Sequence, residues 1–179
     1  MGVGLWESFY SRVILCTVMY YFGQQTNHKK RRSTMPNIQI NMLAVLIAVA
    51  ANFVLGYLWY STLFGKAWAK EMGYDTSQKP PSSEMMKGMI FMIIGSFLMA
   101  YVFAHNMAVW NPVTWGQPDA GMSLGQTAGM AAFFTWLGFY FPGDLGRVAW
   151  AKHSWKLFFI NTVYNFVSLL VVAFILASM

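Results

Sequence analysis

The stretch MLAVLIAVAANFVLGYLWYSTLF, residues Met42–Phe64, contains no Asp, Glu, Lys or Arg. A helix that crosses a bilayer needs ~20 predominantly apolar residues, because the hydrocarbon layer is ~30 Å thick and each residue rises ~1.5 Å. Inside lipid the backbone must satisfy its own hydrogen bonds, so such a run is expected to be helical. Three more windows share the pattern: Gly88–Ala104, Ala120–Gly143 and Leu157–Met179. The second reaches spanning length once Met85, Met86 and a snorkelling Lys87 are included. The sequence therefore predicts an all-α membrane protein with four transmembrane helices, at about 42–64, 85–104, 121–142 and 157–178. Trp59, Tyr60, Trp136, Tyr140 and Trp155 fall near the span ends, where amphipathic aromatics favour the interface.

Composition agrees with this reading. Of 179 residues, 57% are hydrophobic and only 10% are charged, against ~25% charged in soluble domains. That excludes disorder, collagen and an ordinary water-soluble enzyme. A lone Cys16 excludes an internal disulfide and a multi-cysteine metal centre. The net charge of +6 is concentrated at the start, where Arg12 and the run Lys29-Lys30-Arg31-Arg32 stand against Glu7. Such a run can attract nucleic acid or anionic headgroups, but it reads here as a solvated charge cluster. No nucleic-acid partner is expected.

The connecting loops set the expected orientation. Gly65–Lys87 carries Lys66, Lys70, Lys79 and Lys87, and Asp144–Lys156 carries Arg147, Lys152 and Lys156. The middle loop, about His105–Asp119, has neither Lys nor Arg. Positive charge is retained on the cytoplasmic side, so loops 65–87 and 144–156 are expected in the cytoplasm of a bacterial-type cytoplasmic membrane. The basic tail would then fall on the wrong side. Val13–Phe22 is too short for a compensating span, and no small-x-small cleavage site follows it. Translation from Met35 removes the conflict, leaving residues 1–34 as an upstream extension and 35–179 as the four-helix domain.

A shift of 82 residues lays Leu55-Gly56 on Leu137-Gly138, Leu63 on Leu145, and Ala67-Trp68-Ala69-Lys70 on Ala149-Trp150-Ala151-Lys152. This predicts two duplicated parallel-repeat hairpins, spans one–two and three–four. In each, the repeated segment reads as a short interfacial helix. Phe64, Trp68 and Met72 share one face, while Lys66 and Lys70 share another. Trp68, Lys70, Trp150 and Lys152 are the expected interfacial anchors.

Asn41-Met42-Leu43-Ala44-Val45-Leu46, Leu55-Gly56-Tyr57-Leu58-Trp59-Tyr60-Ser61 and Phe64-Gly65-Lys66-Ala67-Trp68 resemble the opening of the membrane-protein family called domain of unknown function 1761. Ser154-Trp155-Lys156-Leu157-Phe158-Phe159-Ile160-Asn161 and Tyr164 resemble its close. The resemblance covers about Ile40 to Met179. It implies a small integral membrane protein of about four helices and carries no activity, substrate or catalytic residue with it.

Little in the chain points to chemistry. There is no phosphate-binding glycine loop, no Gly-x-Ser-x-Gly and no His-Glu-x-x-His, so no catalytic residue, metal site or cofactor is expected. Asp144 and Arg147 read as a capped turn and a positive-inside charge. His105 and His153 fall at opposite membrane faces. Met85, Met92 and Met99 recur every seven residues beside Met89 and read as packing. The polar groups within spans are Asn52, Asn161 and Asn165, the last two on one helical face. Unpaired amides in hydrocarbon are costly, so they should point inward, either bonding between helices or lining a solute path. Gly121, Gly125 and Gly129 are candidate small residues for close helix packing. The expected role is a structural, oligomeric or accessory membrane component, with the lipid bilayer and a homo-oligomer or larger membrane complex as partners. A small-solute transporter or channel is the alternative, and a lipid-acting enzyme the third reading.

Overall fold

The computed structural model describes residues 38–74 and 81–179. The basic tail, the expected start at Met35, and Lys79 lie outside the described residues. Among those described, every regular element is helical. Helix α1 (Met42–Tyr57) is prolonged to Leu63 by a π turn, Leu58–Leu63. The chain breaks at Phe64 and re-enters a short helix, α2 (Gly65–Glu71). The long α3 (Ser82–Trp110) is followed by a 3-10 turn at Pro112–Trp115. Helix α4 (Leu124–Thr135) passes through a second π turn, Trp136–Tyr140, into α5 (Phe141–Ala151). Helix α6 (Trp155–Ser178) completes the fold.

Among the described residues, three helices are long and apolar enough to cross a membrane: Met42–Leu63, Ser82–Trp110 and Trp155–Ser178. The remaining window, 121–142, is divided between the 12-residue α4 and the π turn after it. Helix starts follow the local chemistry. Asn41 Oδ1 accepts from the backbone N–H groups of Leu43 (3.1 Å) and Ala44 (3.2 Å), relieving two of the donors that a helix N-terminus leaves unpaired. Ser123 and Gln126 form a capping box before α4, and Ser154 caps α6 through the N–H of Leu157.

Helix α6 is the centre of the packing. It lies against α1 on one flank and α4 on the other, while α3 packs mainly on α1. The shared core is built largely from small residues: Val45, Ala48, Val49, Ala100, Ala104, Ala128, Ala132, Val172 and Ala173, with Phe103 and Leu169. Large apolar side chains such as Leu46, Ile90, Phe91, Phe134, Phe159 and Phe174 face outward. This distribution suits lipid as a solvent. With hydrocarbon outside, burying Leu or Phe gains little, and small residues that let backbones approach determine the contact.

The two ends of the bundle differ in charge. At one, Ser154 Oγ donates to Glu71 Oε2 at 2.6 Å and Lys156 Nζ lies 3.7 Å from Glu71 Oε1. These contacts join the end of α2 to the start of α6. Lys66, Lys70, Arg147 and Lys152 occupy this same end. At the other, Asn41 Nδ2 donates to the Met179 carbonyl at 3.3 Å. The Ser154 hydroxyl, aided by Lys156, holds the Glu71 carboxyl below its ordinary range. A depressed carboxylate stabilises the fold above its unfolded value, and that contribution disappears as pH falls through the folded value. Thermal unfolding in detergent should therefore occur at lower temperature as pH drops from about 6 to about 3, and Ser154→Ala should flatten that dependence.

Candidate functional site

The polar groups converge on one face of α6. Asn161, Asn165 and Ser168 follow the spacing that keeps side chains on one side of a helix, and each meets a different partner. Asn161 Oδ1 accepts from the Tyr60 hydroxyl at 3.1 Å. Asn165 Nδ2 donates to Asp144 Oδ2 at 3.0 Å. Ser168 Oγ donates to Asn52 Oδ1 at 2.6 Å, and Asn52 Nδ2 donates to Ser96 Oγ at 2.9 Å. The three amides singled out in the sequence thus all bond across helices, and α6 supplies a partner or the amide itself each time. Among the described residues, no buried side-chain nitrogen or oxygen lacks a hydrogen-bond partner.

Two indoles reinforce the seam. Trp59 Nε1 donates to the Ile160 carbonyl at 3.1 Å, and Trp136 Nε1 to the Thr162 carbonyl at 2.9 Å. Both were expected near interfaces; both are half-buried with their N–H groups turned onto α6. Tyr60 and Tyr164 meet edge to face with centroids 4.8 Å apart. Tyr164 also approaches α1 at Gly56, where a Cβ would sit 2.9 Å from the Tyr164 hydroxyl and collide with Met92 Cε.

Asp144 corrects the sequence reading of a capped turn. It occupies the first turn of α5, is only 5% exposed, and accepts from Arg147 Nη1 at 3.1 Å as well as from Asn165. The physical reason lies one turn earlier. The Phe141 N–H bonds to the carbonyl of Trp136, five residues back, so the hydrogen-bond ladder shifts before Pro142. Proline lacks an N–H but is tolerated where the ladder does not need one, and Phe141-Pro142-Gly143 continues the helix. Arg147 is largely exposed, so the ion pair itself is weak. The bond to Asn165 matters more. Asp144→Leu should cost about 2 kcal/mol and Asp144→Asn less than about 1 kcal/mol, since an amide oxygen still accepts; denaturation in mixed micelles separates the two.

The remaining predicted positions scatter. Gly121 precedes α4 and adopts a positive φ of 66°, so it does not share a helical stripe with Gly125 and Gly129. At those two, an added Cβ would meet nothing within 4 Å, and the inward face of α4 is Ala128 and Ala132. Trp68 packs edge-on to Tyr60 at 5.6 Å, whereas Trp150 is 90% exposed at the end of α5. Lys70 lies in the last turn of α2, and Lys152 takes a left-handed φ of 56° after α5. Met92 and Met99 pack inward, while Met85 and Met89 are exposed. His105 Nδ1 pairs with the Tyr101 carbonyl at 2.9 Å. Ser96 and Ser168 were missed, and Tyr60 and Asp144 were read only as an interfacial aromatic and a capped turn. Only Ser168 carried a signal, its i+7 spacing from Asn161 on the amide face.

A second feature is a cleft of about 1140 Å³ at the end of the bundle away from the lysines. It lies between the second half of α3 and α4, which do not close on one another as α4 and α6 do.

Among the described residues the chain is an all-helical protein with three helices long and apolar enough to cross a membrane, an interior of small residues and internally paired amides. Residues 43–177 match the model of the family described as Protein of unknown function (DUF1761), and the chain belongs to that family. No curated protein and no solved structure matches it.

Proposed function

We propose that residues 35–179 form a four-span domain of a bacterial-type cytoplasmic membrane that works as an oligomeric or accessory component of a larger membrane assembly. In this reading, α4 with the π turn after it is the remaining span, and loops 65–87 and 144–156 face the cytoplasm. The two hairpins descend from one duplicated unit. Support for duplication comes from π turns in both odd spans, overlapping at Leu58 and Tyr140 in the 82-residue register.

The observation that carries an assembly role is the first part of α3. Every residue from Ser82 to Phe91 is exposed, on all sides of the helix. Met85, Met86 and Met89 lie here among Ile90 and Phe91, and flexible thioethers suit a surface that adapts to another helix. Transport through the bundle has less behind it, because Asn52 spends both amide atoms on Ser96 and Ser168. Native mass spectrometry of the complex extracted from its own membrane at natural abundance tests the reading. A stoichiometric foreign subunit, or a homo-oligomer disrupted by Met89→Lys, is the expected result. A monomer unaffected by that substitution would sink it, and a solute flux abolished by Asn161→Leu would put transport in its place.

A further inference from the structure

The cleft between α3 and α4 has chemistry of its own. Its walls include Phe103, Met107, Met130 and Phe134, and its rim includes Asn111 and Asp119. Among the described residues, no Lys or Arg lines it. Asp119 Oδ1 accepts the Gly121 N–H at 3.2 Å, and neither ion pair among the described residues involves this carboxylate. The cleft is larger than the ~300–1,000 Å³ typical of small-molecule pockets. An occupant that follows the walls is long and apolar along most of its length, and a cationic end complements Asp119.

We infer that this cleft binds a phospholipid with an amine headgroup, its acyl chain between α3 and α4 and its ammonium at Asp119. The level of the site fits. The cleft lies where α1 begins and α3 and α6 end, with Trp110 83% exposed beside it; exposed tryptophan favours the headgroup region. A second copy of the chain fits less well. Aligned in the same membrane it would bring up the same end, whose described residues hold no Lys or Arg to meet Asp119. An anionic lipid would place like charge against the carboxylate.

The test uses the full chain in nanodiscs of equal phosphatidylethanolamine and phosphatidylglycerol with identical acyl chains, transferred to mild detergent and weighed intact. One phosphatidylethanolamine should be retained about fivefold over phosphatidylglycerol, the scale of one partly exposed ion pair. Asp119→Asn, in an exposed loop, should erase the preference without lowering helix content. Ala131→Trp, which fills the cleft wall, should reduce retention of both lipids. Equal retention by the unaltered chain, a preference that survives Asp119→Asn, or a lipid-free dimer would overturn the assignment.

Discussion

Replacing Leu169 with Ala should lower the stability of the bundle by about 2 kcal/mol, near the bottom of the ~2–5 kcal/mol range for Leu→Ala in protein cores. Leu169 is 1% exposed on the central helix, within the cluster shared by α1, α3, α4 and α6. The low end of the range is expected because much of the usual penalty is water-to-interior transfer, and lipid tails are as apolar as leucine. What remains is the lost dispersion contact and the cavity. The alanines of the same cluster, Ala48, Ala132 and Ala173 among them, are too short to collapse into that space. Phe174, exposed on the same helix, is the control, and Phe174→Ala should change stability by less than about 0.5 kcal/mol. Reversible unfolding of both variants in mixed micelles, measured side by side, decides the matter. Equal losses would mean that α6 is not the packed centre of the fold.

The second large effect is expected at Gly56. Leucine there would drive a side chain into the space held by Met92 Cε and the Tyr164 hydroxyl, forcing α1 away from α3 or α6. Overpacking of this kind costs about 1–3 kcal/mol, occasionally more, and the upper figure is expected because two helices must yield together. Gly56→Ala should cost far less, since the methionine end swings aside. The informative comparison is Gly138, which takes the place of Gly56 in the 82-residue register. An added Cβ at Gly138 meets nothing within 4 Å, so Gly138→Leu should be tolerated. Helix content and thermal midpoint of the two leucine variants will differ sharply if this asymmetry holds, and will match if both hairpins pack alike.

That contrast shows what the amino-acid sequence could and could not convey. Leu-Gly followed by an aromatic stands in both copies, and nothing local distinguishes Gly56 from Gly138; what differs is the neighbour, decided by α6 lying against both α1 and α4. Three of the four expected apolar helices were legible because length and composition mark them directly. The inward direction of Asn52, Asn161 and Asn165 was legible because an unpaired amide in hydrocarbon is costly. Their partners were not, since Ser96 and Ser168 are ordinary helix residues until the helices meet. Asp144 was read as a capped turn because a π turn that carries the helix through Pro142 leaves no compositional trace. The cleft was invisible for a related reason: it depends on which pair of helices fails to close.

The two hydrogen bonds of the Asn52 side-chain amide also impose an order in time. Its nitrogen finds Ser96 in the neighbouring helix, but its oxygen waits for Ser168, 116 residues further along the chain. In the proposed membrane topology, α1 and α3 therefore enter the bilayer during synthesis with one half of this buried amide satisfied and the other half vacant. The vacant oxygen marks where the last helix is to dock. Until it arrives, the early hairpin carries an acceptor that other inserted helices can compete for, so assembly of this protein should be most vulnerable to crowding by foreign helices in the interval between the two.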